Sequence, residues 1–132
     1  MLKQVHVAVA VIINQHQQVL IALRQAHQHQ GNLWEFPGGK VEDDEHIEHA
    51  LQREIEEEVG LTIHSAEQFL TIGHDYGDKS VLLDVWQVTD YSGQAYGKEG
   101  QTLRWCDIQE LDDSDFPTAN VEIIEALKFK SK

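Results

Sequence analysis

Four apolar side chains recur at every fourth position, Ile47, Leu51, Ile55 and Val59, and they carry a run of glutamates with them. A repeat close to 3.6 residues is the mark of a helix with one buried stripe. It begins near Asp44, after a Pro37-Gly38-Gly39 break in regular structure, and Gly60 is its expected terminator. Counting about 100° per residue from Glu54 puts Glu57 near −60°, Glu58 near +40° and the apolar stripe over about +20° to +140°. Glu58 therefore points into the edge of the buried stripe, with Glu54 and Glu57 just beside it. Glu56, near 200° by the same count, points to water.

That arrangement is unfavourable by itself. Like charges three or four residues apart destabilise a helix by ~0.2–0.5 kcal/mol per pair. Desolvating an unpaired carboxylate is far worse, and ordinarily forces protonation or pairing. Arg53 can relieve one charge but not three. A divalent cation relieves all of them, and hard cations such as Mg²⁺ prefer oxygen ligands. From the residues alone, two readings stay open: a metal site, or an ordinary charged helix face.

The rest of the chain alternates short apolar runs with polar turns. Val5–Ile13 contains Ala8-Val9-Ala10, which resembles a leader cleavage site, but it carries His6 and continues into more apolar sequence; we read it as a buried strand. With Val19–Leu23 it suggests an antiparallel hairpin across a loop of about five residues. Leu33–Phe36 is extended ahead of a proline. Thr62–Ile72, Val81–Val88 and Leu103–Trp105 read as further strands, and Tyr91–Gln101, with three glycines, as a loop. Val121, Ile124 and Leu127 share one face of a last helix over Val121–Lys130. With no repeat or linker, the 132 residues are expected to form one domain. Its class is α/β (α+β): a mixed β-sheet between helices.

Charge and cysteine usage narrow the function. The chain has 23 acidic against 10 basic residues, a net −13, which disfavours polymeric nucleic acid as a partner. If the substrate itself carries phosphates, so acidic a protein needs metal cations to hold it. The single Cys106 forms no internal disulfide and no Cys/His spacing suggests zinc, so a reducing, cytoplasmic setting is expected. No apolar run is long enough for a membrane span. His27 and His29 alternate within a Gln-rich stretch whose ordinary reading is an exposed loop.

Residues 39–61 read Gly39, five residues, Glu45, seven residues, then Arg53-Glu54-Ile55, any residue, Glu57-Glu58, any residue, Gly60-Leu61. This resembles the Nudix box at all nine of its specified positions, over 23 residues. The likeness extends to the MutT-type members through Glu35-Phe36-Pro37-Gly38-Gly39-Lys40, Gly97-Lys98-Glu99-Gly100-Gln101 and Phe116-Pro117-Thr118-Ala119-Asn120. The resemblance implies a Nudix-like α/β/α sandwich and a Mg²⁺-dependent hydrolase, with Mn²⁺ as an alternative ion. It further implies cleavage of 8-oxo-dGTP to 8-oxo-dGMP and pyrophosphate, which clears an oxidised nucleotide before DNA replication. A nucleoside triphosphate would be the partner of a monomer.

The same resemblance assigns roles. Glu54, Glu57 and Glu58, the three carboxylates grouped by the helical count, are implied metal ligands, with the Gly38 carbonyl and Glu99. Glu54 is the first choice for general base and Glu99 the second. Glu45 stabilises the loop or an outer-shell water, Arg53 holds the glutamates in place, and Lys40 is a phosphate contact or simply a charged loop residue. Arg24 and His29 match nucleotide-contacting positions. Phe36 would wall the base pocket, with backbone groups of Glu35, Pro37 and Gly38 nearby. Asn120 matches the asparagine that reads oxidised guanine; its other reading is the N-cap of the last helix. Leu23 stands where an Arg-Arg pair is common and Tyr96 where tryptophan is common, so nucleotide contacts differ there. An undamaged dGTP, dCTP or CTP is therefore an alternative substrate. A non-catalytic nucleotide-binding module is the alternative of a different class, but such modules usually lose box residues and this chain keeps them all.

Overall fold

The computed structural model describes residues 3–24 and 32–130. Seven strands divide between two sheets. Strands β1 (Lys3–Ile12), β4 (Gly38–Lys40), β5 (Thr62–Asp75) and β6 (Lys79–Ser92) form a four-stranded sheet in the order β4-β1-β6-β5. It is mixed: β1 runs parallel to β6, while β1–β4 and β5–β6 are antiparallel. Strands β2 (Gln18–Leu23), β3 (Trp34–Glu35) and β7 (Leu103–Asp107) form a second, antiparallel sheet in the order β3-β2-β7.

The expected hairpin between the first two strands is corrected by this pairing. Chain direction does reverse, and Ile13 makes one antiparallel bridge to Val19. Beyond that bridge β1 pairs with β4 and β6, and β2 leaves for the other sheet. The reason lies in β1's own composition. Ala8, Ala10 and Ile12 are buried in one core and Val9 and Val11 in another, so the strand needs cover on both faces. A hairpin ribbon gives no such cover.

Helix α1 (Ile47–Val59) lies over the first core, packing Ala50, Leu51, Ile55 and Val59 against Ala8, Ala10, Ile12 and Val88. Helix α2 (Val121–Lys130) covers the second, where Ile123, Ile124 and Leu127 meet Val9, Val11, Ile72 and Val85. The expectation of helices on opposite faces of a mixed sheet holds. Ile123 joins Ile124 and Leu127 in the core, whereas Val121 is only half-buried.

Two boundaries move for local reasons. Gly38 and Gly39 were expected to interrupt regular structure, yet they begin β4, because Gly38 lies so close over β1 that a Cβ would collide with the Ala8 carbonyl. Helix α1 starts at Ile47 rather than Asp44. Asp44 takes φ +62°, the Glu45 amide closes a turn on Glu42, and the His46 side chain caps the helix by accepting from the Glu48 amide. No helix among the described residues is long and apolar enough to cross a membrane.

Candidate functional site

Arg53, on the exposed edge of α1, gathers the acidic residues around it. Its Nε and Nη2 donate to the two oxygens of Glu45 at 2.8 and 2.9 Å, a paired geometry that suits guanidinium and carboxylate. Nη1 donates to Glu54 Oε1 at 2.9 Å and stands 3.5 Å from Glu57 Oε2, and Nη2 also reaches the Lys40 carbonyl at 3.2 Å. One side chain thus ties the start of the box, the helix and the glycine strand together. The Arg53 guanidinium and the Glu42 amide hold the Glu45 carboxyl well below the usual carboxylate range. The same contacts raise Arg53 above its ordinary value.

Glu54 and Glu58 face inward, while Glu56 and Glu57 are exposed. Gly39 makes room for Glu54: a Cβ there would overlap the Glu54 carboxyl group. Glu58 is the most strained group of the cluster electrostatically. Burial, then a hydrogen bond shared with Glu54, then the charges of Glu54, Glu35 and Glu99 push its pKa up to about 9. Its Oε2 is buried without any hydrogen-bond partner.

Glu99 reaches this group from a different part of the chain. The loop after β6 docks on the C-terminal end of α1, where helix carbonyls lack partners of their own. The Tyr96 amide donates to the Val59 carbonyl at 3.0 Å and the Lys98 amide to the Glu58 carbonyl at 3.1 Å. Gly60 closes the helix with φ +74°, and a Cβ there would strike the Tyr96 ring. Glu99 is itself exposed, but its charge is felt by Glu58.

These residues fit a hard divalent cation. The donors are carboxylate oxygens, a buried one of them is unsatisfied, and burial, reinforced by the neighbouring glutamates, holds Glu58 in its protonated form. Among the described residues no three acidic, histidine or cysteine side chains already stand close enough to hold an ion, so the carboxylates converge without closing.

Beside the cluster is a cavity of about 200 Å³, lined by Arg24, Glu35, Phe36, Gly38, Tyr76 and Asn120 among others. Phe36 is buried and stacks on Phe116 at 5.3 Å between ring centroids, so it serves both the core and the cavity wall. Arg24 Nη1 donates to Glu35 Oε1. Burial raises the pKa of Glu35 and the Arg24 charge opposes that rise. Asn120 closes the short turn that leads directly into α2, and it also lines the cavity.

The fold brings Glu45 and Glu54 onto Arg53, Glu58 beside Glu54, the Glu99 loop onto the C-terminal end of α1, and Gly38 beside the cavity. Glu57 stands on the outer side, towards Arg53 and an open groove shared with His49 and Lys98. Pro37 accepts from the Ala10 amide through its carbonyl, and the Lys40 side chain is exposed. His29 lies outside the described residues.

Three contributors were missed. The Glu35 carboxylate, expected only as backbone, sits between cavity and cluster because β2–β3 pairing sets it beside Arg24. Tyr76, at the tip of the β5–β6 hairpin, also lines the cavity. Gln101 bonds to both the Glu99 loop and α1. No local pattern marks the first two; only the Gly97–Gln101 motif marks the third.

Known proteins resemble this chain over nearly its whole length. The 8-oxo-dGTP diphosphatase of Escherichia coli is 38% identical over 127 residues, covering 96% of this chain and 98% of that protein. The CTP pyrophosphohydrolase of the same organism is 36% identical over 118 residues, covering 89% and 87%. A solved structure from work on MutT of Aliivibrio salmonicida and Vibrio cholerae superposes with a TM-score of 0.87 at 35% identity, covering 97% of this chain and 99% of the other. The NUDIX domain profile matches residues 8–126, the span from within β1 to within α2. By sequence and by superposition, the chain belongs to the NUDIX domain family.

Proposed function

We propose that this protein is a Mg²⁺-dependent pyrophosphohydrolase that converts 8-oxo-dGTP to 8-oxo-dGMP and pyrophosphate, acting as a single-domain monomer in the cytoplasm. The observation that carries the reading is the unsatisfied Glu58 Oε2 among converging carboxylates, next to a cavity lined by Asn120. Glu54, Glu57, Glu58, Glu99 and the Gly38 carbonyl would hold the ions. Bound there, Mg²⁺ supplies positive charge that screens the phosphate oxygens and favours ionisation of the attacking water.

The protein's own groups do the rest. Arg53 holds Glu54 in place so that its carboxylate can accept the proton of the water; Glu99 is the second choice for that role. The water oxygen bonds to phosphorus, the anhydride bridge between the α- and β-phosphates breaks, and pyrophosphate leaves. Asn120 offers both a donor and an acceptor, matching the O6 and N7–H edge of 8-oxoguanine. Phe36 supplies the apolar wall.

The similarity to a CTP pyrophosphohydrolase supports a second reading, in which the same machinery prefers CTP or an undamaged nucleotide. Steady-state kcat/KM for 8-oxo-dGTP beside dGTP, dCTP and CTP separates the two. A preference for 8-oxo-dGTP below tenfold, or ~1.4 kcal/mol in transition-state binding, defeats the specialised reading. Pyrophosphate release that persists unchanged without divalent cations defeats both. Glu54→Gln and Glu57→Gln should each lower kcat about a hundredfold or more while the circular dichroism spectrum is retained.

A further inference from the structure

We propose that Gln101 is a positioning residue that locks the Glu99 loop to the acidic helix, so that Glu58 and Glu99 present their carboxylates as one body. Its side-chain amide is used at both ends. Nε2 donates to the Glu58 carbonyl at 2.9 Å, and Oε1 accepts from the Glu99 amide at 2.9 Å. A single planar group therefore spans the backbones of two glutamates that are far apart in sequence and within electrostatic reach of each other.

The loop's own geometry leaves little other support for Glu99. Gly97 and Gly100 close a tight turn, with the Gly100 amide donating to the Gly97 carbonyl at 3.0 Å, and Glu99 sits at its exposed crest. Gly100 takes φ +82°. A Cβ on Gly97 would overlap the Gln101 carbonyl, so the turn must stay free of side chains there to fold back on Gln101. Tyr96 and Lys98 tether the front of the turn to α1 through their amides. Gln101 alone among the described contacts tethers Glu99 itself. Serine is too short to span both bonds, and methionine fills the same space with neither bond.

The inference rests on the proposed part of Glu99 in cation binding, and the experiment keeps the two separable. Gln101→Met, Glu99→Gln and the double variant are compared with the parent protein by amide hydrogen exchange without metal, by calorimetric titration with Mn²⁺, and by kcat. Loss of the bond to Oε1 should speed exchange at the Glu99 amide about fivefold or more, with protection at Ile55 in α1 unchanged. Mn²⁺ affinity should fall about fivefold or more in Gln101→Met, but change by less than about twofold when Glu99 is already glutamine. Equal losses of affinity in both backgrounds would overturn the inference, as would unchanged exchange at Glu99. If Glu99→Gln alone leaves both Mn²⁺ affinity and kcat intact, it is the role of Glu99 that fails, and the exchange result still decides whether Gln101 anchors the loop. Should Gln101→Met not fold, Gln101→Glu keeps the acceptor for the Glu99 amide. That variant loses the donor to the Glu58 carbonyl, so faster exchange at the Glu99 amide supports the lock, and exchange as slow as in the parent protein refutes it.

Discussion

Replacing Glu58 by glutamine should make the metal-free protein more stable at neutral pH while removing much of its response to Mg²⁺. Burial and the neighbouring glutamates raise Glu58 from an ordinary value of 4.5 to about 9. The stability linked to this group is fully present below pH 4.5, where both folded and unfolded chains carry the proton. It falls as pH rises, because the unfolded chain releases that proton first, and it is gone above about pH 9. Between 4.5 and pH 7 the loss amounts to about 3 kcal/mol, and at pH 5 to less than about 1 kcal/mol. Glutamine mimics the protonated carboxyl, including its donation to Glu54, and carries no such penalty. Urea denaturation in EDTA should therefore find Glu58→Gln more stable by about 3 kcal/mol at pH 7, roughly 10 °C in Tm, with the gap shrinking towards pH 5. Mg²⁺ should raise the Tm of the parent protein more than that of the variant. Equal stabilities at pH 7, or a gap that does not narrow at pH 5, would refute the claim that Glu58 is a desolvated acid waiting for a cation.

Three further outcomes test the surrounding architecture. Gly39→Ala pushes a methyl group into the Glu54 carboxyl, so kcat should drop about a hundredfold while Tm shifts little; normal turnover would mean that Glu54 need not lie there. Arg53→Lys keeps the charge but loses the fork that spans Glu45 and Glu54, and should lower kcat about 10–100-fold in pyrophosphate-release assays. Tyr76→Ala removes an aromatic wall from the cavity beside the acidic cluster and, if that cavity takes the base, should raise KM about fivefold or more with kcat changed less than about twofold.

How far the sequence could be read depended on whether the information was local. The stripe of Ile47, Leu51, Ile55 and Val59 fixes the helix and the direction its glutamates face, and Glu54, Glu56 and Glu58 emerge where the count put them. Glu57 proved more exposed than its place beside the stripe suggested, because Arg53 draws it outward. The strand pairings were not local. Nothing in the run from Val5 to Ile13 says that its parallel partner lies beyond Thr71, so the nearest apolar run seemed the natural partner. The Arg24–Glu35 pair and the reach of Tyr76 follow from those pairings and were hidden with them. Glu99 and Gln101 were accessible only through resemblance, since a glutamate between glycines otherwise reads as a solvated turn.

The pairing of β1 with β6 has a consequence for how the chain reaches its native state. Val7 lies opposite Leu83, so β1 leaves the ribosome long before its parallel neighbour exists. Both of its faces are apolar, and until then it is an exposed, adhesive segment. The short glycine strand at residues 38–40 is synthesised much sooner and pairs with Val7–Val9. It can shield one edge of β1 during that wait.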